Sequence, residues 1–201
     1  SWHGATGATD NAAGSAVVME AMRILQKLKL PMRRTVRAAL WGEEEVCFCG
    51  SRGYVAEHFA DPVSMKLKPG HEKLSVYFNL DGGGGKIRGV YLQQNDMARP
   101  LLGGWLAPFN DQDVNMFTLT NTTGTDHLSF NAVGLPGFSF VQDPLDYYQN
   151  THHSNVDHVD HLIQGDLMQA AAVMASAVYH AANSDEMLPR KQLPKALPPK
   201  N

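Results

Sequence analysis

Cysteine is scarce in this chain: Cys47 and Cys49, one residue apart, are the only two among 201 residues. That excludes a disulfide framework as the source of stability, and a four-cysteine metal site as well. The pair is expected at a strand end, where successive side chains diverge, so a bond between them is not expected and buried packing is preferred over metal binding. An excess of one charge is also missing. Seventeen basic against twenty acidic residues give a formal net charge of -3, which offers no footprint for nucleic acid or an anionic membrane and favours small or peptide partners. No apolar run approaches the roughly 20 residues of a membrane span, and no charged-then-apolar leader opens the sequence, so neither a span nor a signal peptide is expected here. Internal repeats are absent too.

What is present suffices for one sizeable core, with 43% of residues hydrophobic. Val18, Ala21, Met22, Leu25 and Leu28 recur at helical spacing over residues 12–29, and Pro31 marks the stop. Residues 35–41, "TVRAALW", predict a strand buried on both faces, and 51–60 a short helix. "LSVYFNLD" over 74–81 predicts a second buried strand, running into four glycines, and "KIRGVYLQQ" a third. Residues 97–109 read as helical and 114–121 as extended. A short helix is expected near Asp126, then a buried strand in "GLPGFSFVQD" and a final helix over 166–182. Helices alternating with apolar strands predict an α/β fold: a mixed, largely parallel sheet flanked by helices on both faces. One domain is expected over residues 1–190, followed by a proline-rich extended tail over 191–201.

In open α/β sheets ligands gather beyond the carboxyl ends of the strands, and acidic residues stand at those ends here. Glu43, Glu44 and Glu45 follow one strand, Asp81 follows the next, and Asp10 precedes the first helix; His152, His153, His158 and His161 crowd together after the last strand. Converging Asp, Glu and His without paired cysteines suits zinc or another divalent metal. Singly, each has a plainer reading. Asp10 or Asn11 would cap a helix, Asp81 would sit in a turn, and the histidines would face solvent. The joint pattern carries the argument.

Five ordered segments sharpen it: "SWHGATGATDNAAGSAVVMEAMRIL", "RRTVRAALWGEEE…GSRGYV", "FNLDGG", "GTDHLSF…GLPGF" and "THHSNVD". Together they resemble the M28 family of co-catalytic zinc peptidases, most of all its carboxypeptidase Q branch, over essentially residues 1–190. The resemblance implies the zinc-peptidase fold, without its first strands, and two zinc ions bridged by Asp10. Glu45 and His153 would complete one zinc site, His153 being preferred to His152 because Asp157 follows it by four residues. Asp81 would serve the other zinc, and Glu44 would be the general base. Asp126 and His127 match a motif on the substrate side of the site, although an Asp-His pair starting a helix explains them equally well.

The family's early histidine lies in a His-x-Asp motif immediately before Ser-Trp, so it is not expected within a sequence opening at Ser1, and the second zinc site should be weak. His3 is displaced from that motif and is read as lining the edge of the site. The activity implied is hydrolysis of short peptides by a metallopeptidase, secreted or periplasmic, and a homodimer is the assembly the resemblance suggests. A single-zinc acyltransferase that cyclises N-terminal glutamine, or a peptidase-like module that only binds or dimerises, are the alternatives the family offers.

Overall fold

A computed structural model describes residues 4–198. The first helix, α1 (Ala13–Leu28), buries Val17, Ala21 and Leu25 along one stripe, and Lys29 ends it in the left-handed region at φ 52°. Asn11 caps this helix, its Oδ1 accepting the N–H of Gly14 at 3.1 Å while its Nδ2 donates to the carbonyl of Leu80 at 3.0 Å. Gly14 is required at this approach, because a Cβ there would stand 2.4 Å from the Leu80 oxygen.

After α2 (Glu44–Cys47) and α3 (Cys49–His58) come the strands β1 (Tyr77–Asn79) and β2 (Ile87–Tyr91), then α4 (Arg99–Leu106), β3 (Met116–Thr118), α5 (His127–Asn131), β4 (Gly137–Gln142) and the long α6 (Gln164–Asn183). The sheet order is β1-β4-β2-β3. β1 runs parallel to β4 and β2 parallel to β3, while β2 and β4 are antiparallel, so the sheet is mixed and mostly parallel as expected. Successive side chains of β1 turn to opposite faces. Phe78 joins the main core formed with α1, α4 and α6, and Tyr77 joins a smaller cluster with Val55 of α3 and Phe130 of α5. Both faces of the sheet are thus covered by helices.

Two sequence expectations fail. Residues 35–41 do not form a buried strand: none of the sheet strands among the described residues pairs with them, and Leu40 is 60% exposed. β-branched and apolar residues are buried in a strand only when neighbouring strands and helices cover them. Instead the segment runs along the far side of a groove of about 1540 Å³, lined by Leu25, Val36, Val76, Phe78 and Met174. The groove exceeds the usual 300–1,000 Å³ of a small-molecule pocket and separates elements rather than enclosing a ligand. Trp41 bridges its rim, donating from Nε1 to the Tyr77 hydroxyl at 3.0 Å.

The second failure concerns Cys47 and Cys49, which form a disulfide. They stand at the break between α2 and α3, not on a strand, and Phe48 between them is left-handed at φ 53°. That turn brings their Cα atoms to 5.0 Å and their sulfurs to the same side. Neither cysteine is buried. The proline-rich end is extended but docked: Leu188 is buried, Arg190 donates to the carbonyls of His71 and Leu74, and Lys191 to that of Gln93.

Candidate metal centre

Asp10 lies in a wide turn, Ala8–Ala12, just ahead of α1, and its peptide bond to Asn11 is cis. Fully buried Asp157 holds this turn from below, accepting the N–H of Thr9 at 2.6 Å and of Asp10 at 3.0 Å. Thr9 Oγ1 also donates to Thr151 Oγ1 at 2.8 Å, which ties the turn to the loop after β4. With Asn11 capping the helix, the Asp10 side chain is left to face the cleft. It is buried, and its Oδ2 accepts no hydrogen bond among the described residues.

Across the cleft, His153 takes a left-handed backbone at φ 54°, which aims its ring back into the site. Its Nε2 lies 2.9 Å from Glu45 Oε2 and 3.3 Å from Asp10 Oδ2. Three donors from three separated stretches therefore meet at one point. His152 stacks on His153 with ring centroids 3.9 Å apart and also packs on Tyr147. Both histidines are exposed, yet one nitrogen of each and one oxygen of Asp10 come within 4.8 Å of one another.

The glutamates are separated by helix geometry. Glu43 stands left-handed at φ 57° before α2, so Glu44 and Glu45 occupy the first turn, where consecutive side chains diverge by about 100°. Glu45 points to His153. Glu44 faces Asp81 and Asp126, and burial, then the charges of Asp81 and Asp126, push its carboxyl up to about 8. Burial likewise raises Asp81 to about 6, against a hydrogen bond from Thr125, and raises Asp10, with Glu45 adding to the effect. Every shift favours the protonated acid, which is how carboxylates crowded without a cation respond.

Asp126 is buried beside this group, raised by burial and partly offset by a hydrogen bond from Ser51. Its Oδ1 accepts no hydrogen bond among the described residues. His127 is placed differently. It is fully buried, with Nε2 2.5 Å from Gln93 Nε2 and 3.1 Å from the Thr122 carbonyl, and burial lowers its pKa to about 4. It lies at the buried start of α5, as an Asp-His pair that begins a helix would. His3 lies outside the described residues.

Tyr147 is a site residue that sequence reasoning missed. Its hydroxyl hydrogen-bonds Asp10, and burial raises its pKa strongly. Nothing local in "DPLDYYQN" marks the first tyrosine over the second. Arg52 was missed as well: it lines the cleft mouth with its guanidinium 5.2 Å from the Phe48 ring. The cleft itself, bounded by Asp10, Glu44, Glu45, Asp81, Tyr147 and His153, holds about 270 Å³. Carboxylate oxygens and an imidazole nitrogen, one oxygen buried without a hydrogen bond, fit a zinc-type ion at the meeting point of Asp10, Glu45 and His153. No helix among the described residues is long and apolar enough to cross a membrane.

The chain is similar to known proteins in sequence and in fold. Carboxypeptidase Q of Mus musculus is 32% identical over 193 residues, covering 94% of this chain and 38% of its own length. A Peptidase M28 precursor from Shewanella amazonensis SB2B superposes with a TM-score of 0.76 at 28% identity, covering 96% of this chain and 41% of that one. BSAP, a zinc aminopeptidase from Bacillus subtilis, shares the fold with a TM-score of 0.70 at 24% identity, over 90% of this chain and 43% of its own. The chain thus spans about two fifths of the length of the relatives it matches. With the model of peptidase family M28 matching residues 1–178, the chain belongs to peptidase family M28.

Proposed function

We propose that the polypeptide represented by this chain hydrolyses peptide bonds in short peptides, with zinc held by Asp10, Glu45 and His153, a second zinc served by Asp10 and Asp81, and Glu44 as general base. The observation that carries this reading is the meeting of Asp10 Oδ2 and Glu45 Oε2 at His153 Nε2, with Glu44 next to them and turned the other way. When bound, the metal polarises the scissile carbonyl and acidifies a water molecule.

The chain's own residues do the rest. Asp157 fixes the backbone of Thr9 and Asp10, so the Asp10 carboxylate is aimed before any ligand arrives. Glu45 holds a cation and must stay ionised, whereas Glu44 must gain and lose a proton; their divergence on α2 permits both. The Glu44 carboxyl is held up to about 8 when no cation is near, and a bound cation would lower that value and leave Glu44 ionised as a base. Glu44 accordingly removes the proton from the attacking water and returns it to the leaving amine. Tyr147 orients Asp10 through its hydroxyl. A cleft of about 270 Å³ suits a substrate of dipeptide size.

The test is Glu44→Gln, assayed on dipeptides with zinc content measured in parallel. Zinc should be retained while kcat falls by roughly 10²–10⁴-fold, the usual contribution of a general base. Near-normal turnover by this variant would remove Glu44 from the mechanism. A second reading, cyclisation of N-terminal glutamine at a single zinc, is favoured by one observation: among the described residues oxygen and nitrogen donors meet at one point, where Asp10 and Glu45 approach His153 and its neighbour His152. An N-terminal glutaminyl peptide assayed beside a free dipeptide separates the two reactions.

A further inference from the structure

Glu43 has no part in the centre described above, and neither has the cysteine pair. Yet one oxygen of Glu43 and the two sulfurs lie within 4.8 Å of one another, and Cys47 Sγ is 3.7 Å from the Glu43 carbonyl and 3.9 Å from its Oε2. The grouping has a structural cause. Left-handed residues bound α2 at both ends, Glu43 before it and Phe48 after it, and they fold the flanking side chains together on its outer side. Glu43 and Cys49 are exposed and Cys47 half-buried, so the group is open to solvent and to small thiols.

We propose that Glu43, Cys47 and Cys49 form a second, redox-gated cation site at the rim of the cleft, which takes a thiophilic d¹⁰ divalent ion, Zn²⁺ or Cd²⁺, only when the two cysteines are reduced. The donor set of two thiolates and one carboxylate is of the kind such ions prefer, with water left for a fourth position. In the oxidised chain the same sulfurs are joined to each other and have no thiolate to offer. A small-molecule dithiol opens the site: it gives two electrons and two protons to the Cys47–Cys49 bond and itself becomes a disulfide. Cation binding then displaces the two thiol protons. In that state one ion links the residue before α2 to the last residue of α2 and the first of α3, and so clamps both ends of the element that carries Glu44 and Glu45.

Because these are the only cysteines in the chain, sulfur-to-metal absorption reports on this site alone. The experiment is a Cd²⁺ titration of the full chain, reduced and oxidised, followed by ultraviolet thiolate-to-cadmium charge transfer after the reductant is removed. The reduced chain should develop the band and saturate it at about one ion per chain for this three-ligand site. The oxidised chain should show none, and neither comparison needs a variant to fold. Glu43→Gln should weaken binding on the order of tenfold or more, at least what losing an outer hydrogen-bond partner costs at a metal site. Absence of the band in the reduced chain overturns the proposal, as does saturation at about half an ion per chain, which would mean a site shared between two copies. An unchanged midpoint in Glu43→Gln would remove Glu43 and with it the site as assigned.

Discussion

The two halves of the cleft are built from similar carboxylates but are balanced differently. On one side Asp10 and Glu45 meet an imidazole, and buried Asp157 anchors the turn beneath through two backbone N–H groups. On the other side Glu44, Asp81 and Asp126 face one another, and among the described residues no nitrogen ligand joins them. The second half therefore holds protons where the first can hold a cation. The contrast shows that crowding carboxylates does not by itself make a metal site; a nitrogen donor and a fixed backbone decide which half binds first.

The largest expected effect breaks the first half. His153→Ala should abolish the tight zinc-binding event in calorimetry, whereas Asp81→Asn should leave it standing. Equal loss in both would dissolve the distinction between the halves. Next comes pH in the metal-free chain. Glu44 and Asp81 have folded pKa values near 8 and 6, above their ordinary 4.5 and 3.8, so the folded state binds more protons than the unfolded state between about pH 4 and 8. Stability should fall as pH rises through that window, by about 2–4 °C in Tm for each kcal/mol lost. Scanning calorimetry at pH 5 and pH 8 checks this, and Glu44→Gln should flatten the slope; a Tm that climbs with pH would contradict the assignment.

A smaller effect tests the anchor. Asp157→Asn weakens the bonds from Thr9 and Asp10 and should cost about 1–3 kcal/mol in denaturant unfolding, with zinc affinity lowered in step. Smallest is Leu40→Ser, on the segment expected to be buried and found exposed. Its effect should stay within about 0.5 kcal/mol, whereas a core position would cost several times more.

Much of the fold was legible from local pattern. The recurrence of Val18, Ala21, Met22, Leu25 and Leu28 and the run of Gly137–Gln142 announced a helix and a buried strand, although the face the helix buries is that of Val17, Ala21 and Leu25, with Leu28 exposed. Residues 35–41 had an equally apolar pattern and were misjudged, since a strand is buried by its neighbours rather than by its own composition. At the site, residue types and their order were legible, but orientation was not. Only the family's four-residue spacing to Asp157 favoured His153 over His152, with no local pattern showing where either ring points, and the pairing of Cys47 with Cys49 turned on one left-handed residue, Phe48.

The sequence by itself determined the inventory: acidic residues at strand ends, histidines after the last strand, and the ordered segments that mark the family. Only the tertiary structure decided that Asn11 caps α1 so that Asp10 faces the cleft, that Tyr147 supports Asp10, and that His127 turns into the core. The physical reason is range. Propensity and periodicity act over a few residues, whereas Asp10 and His153 meet across some 140 positions, and their geometry is set by backbone angles and packing that no local pattern encodes.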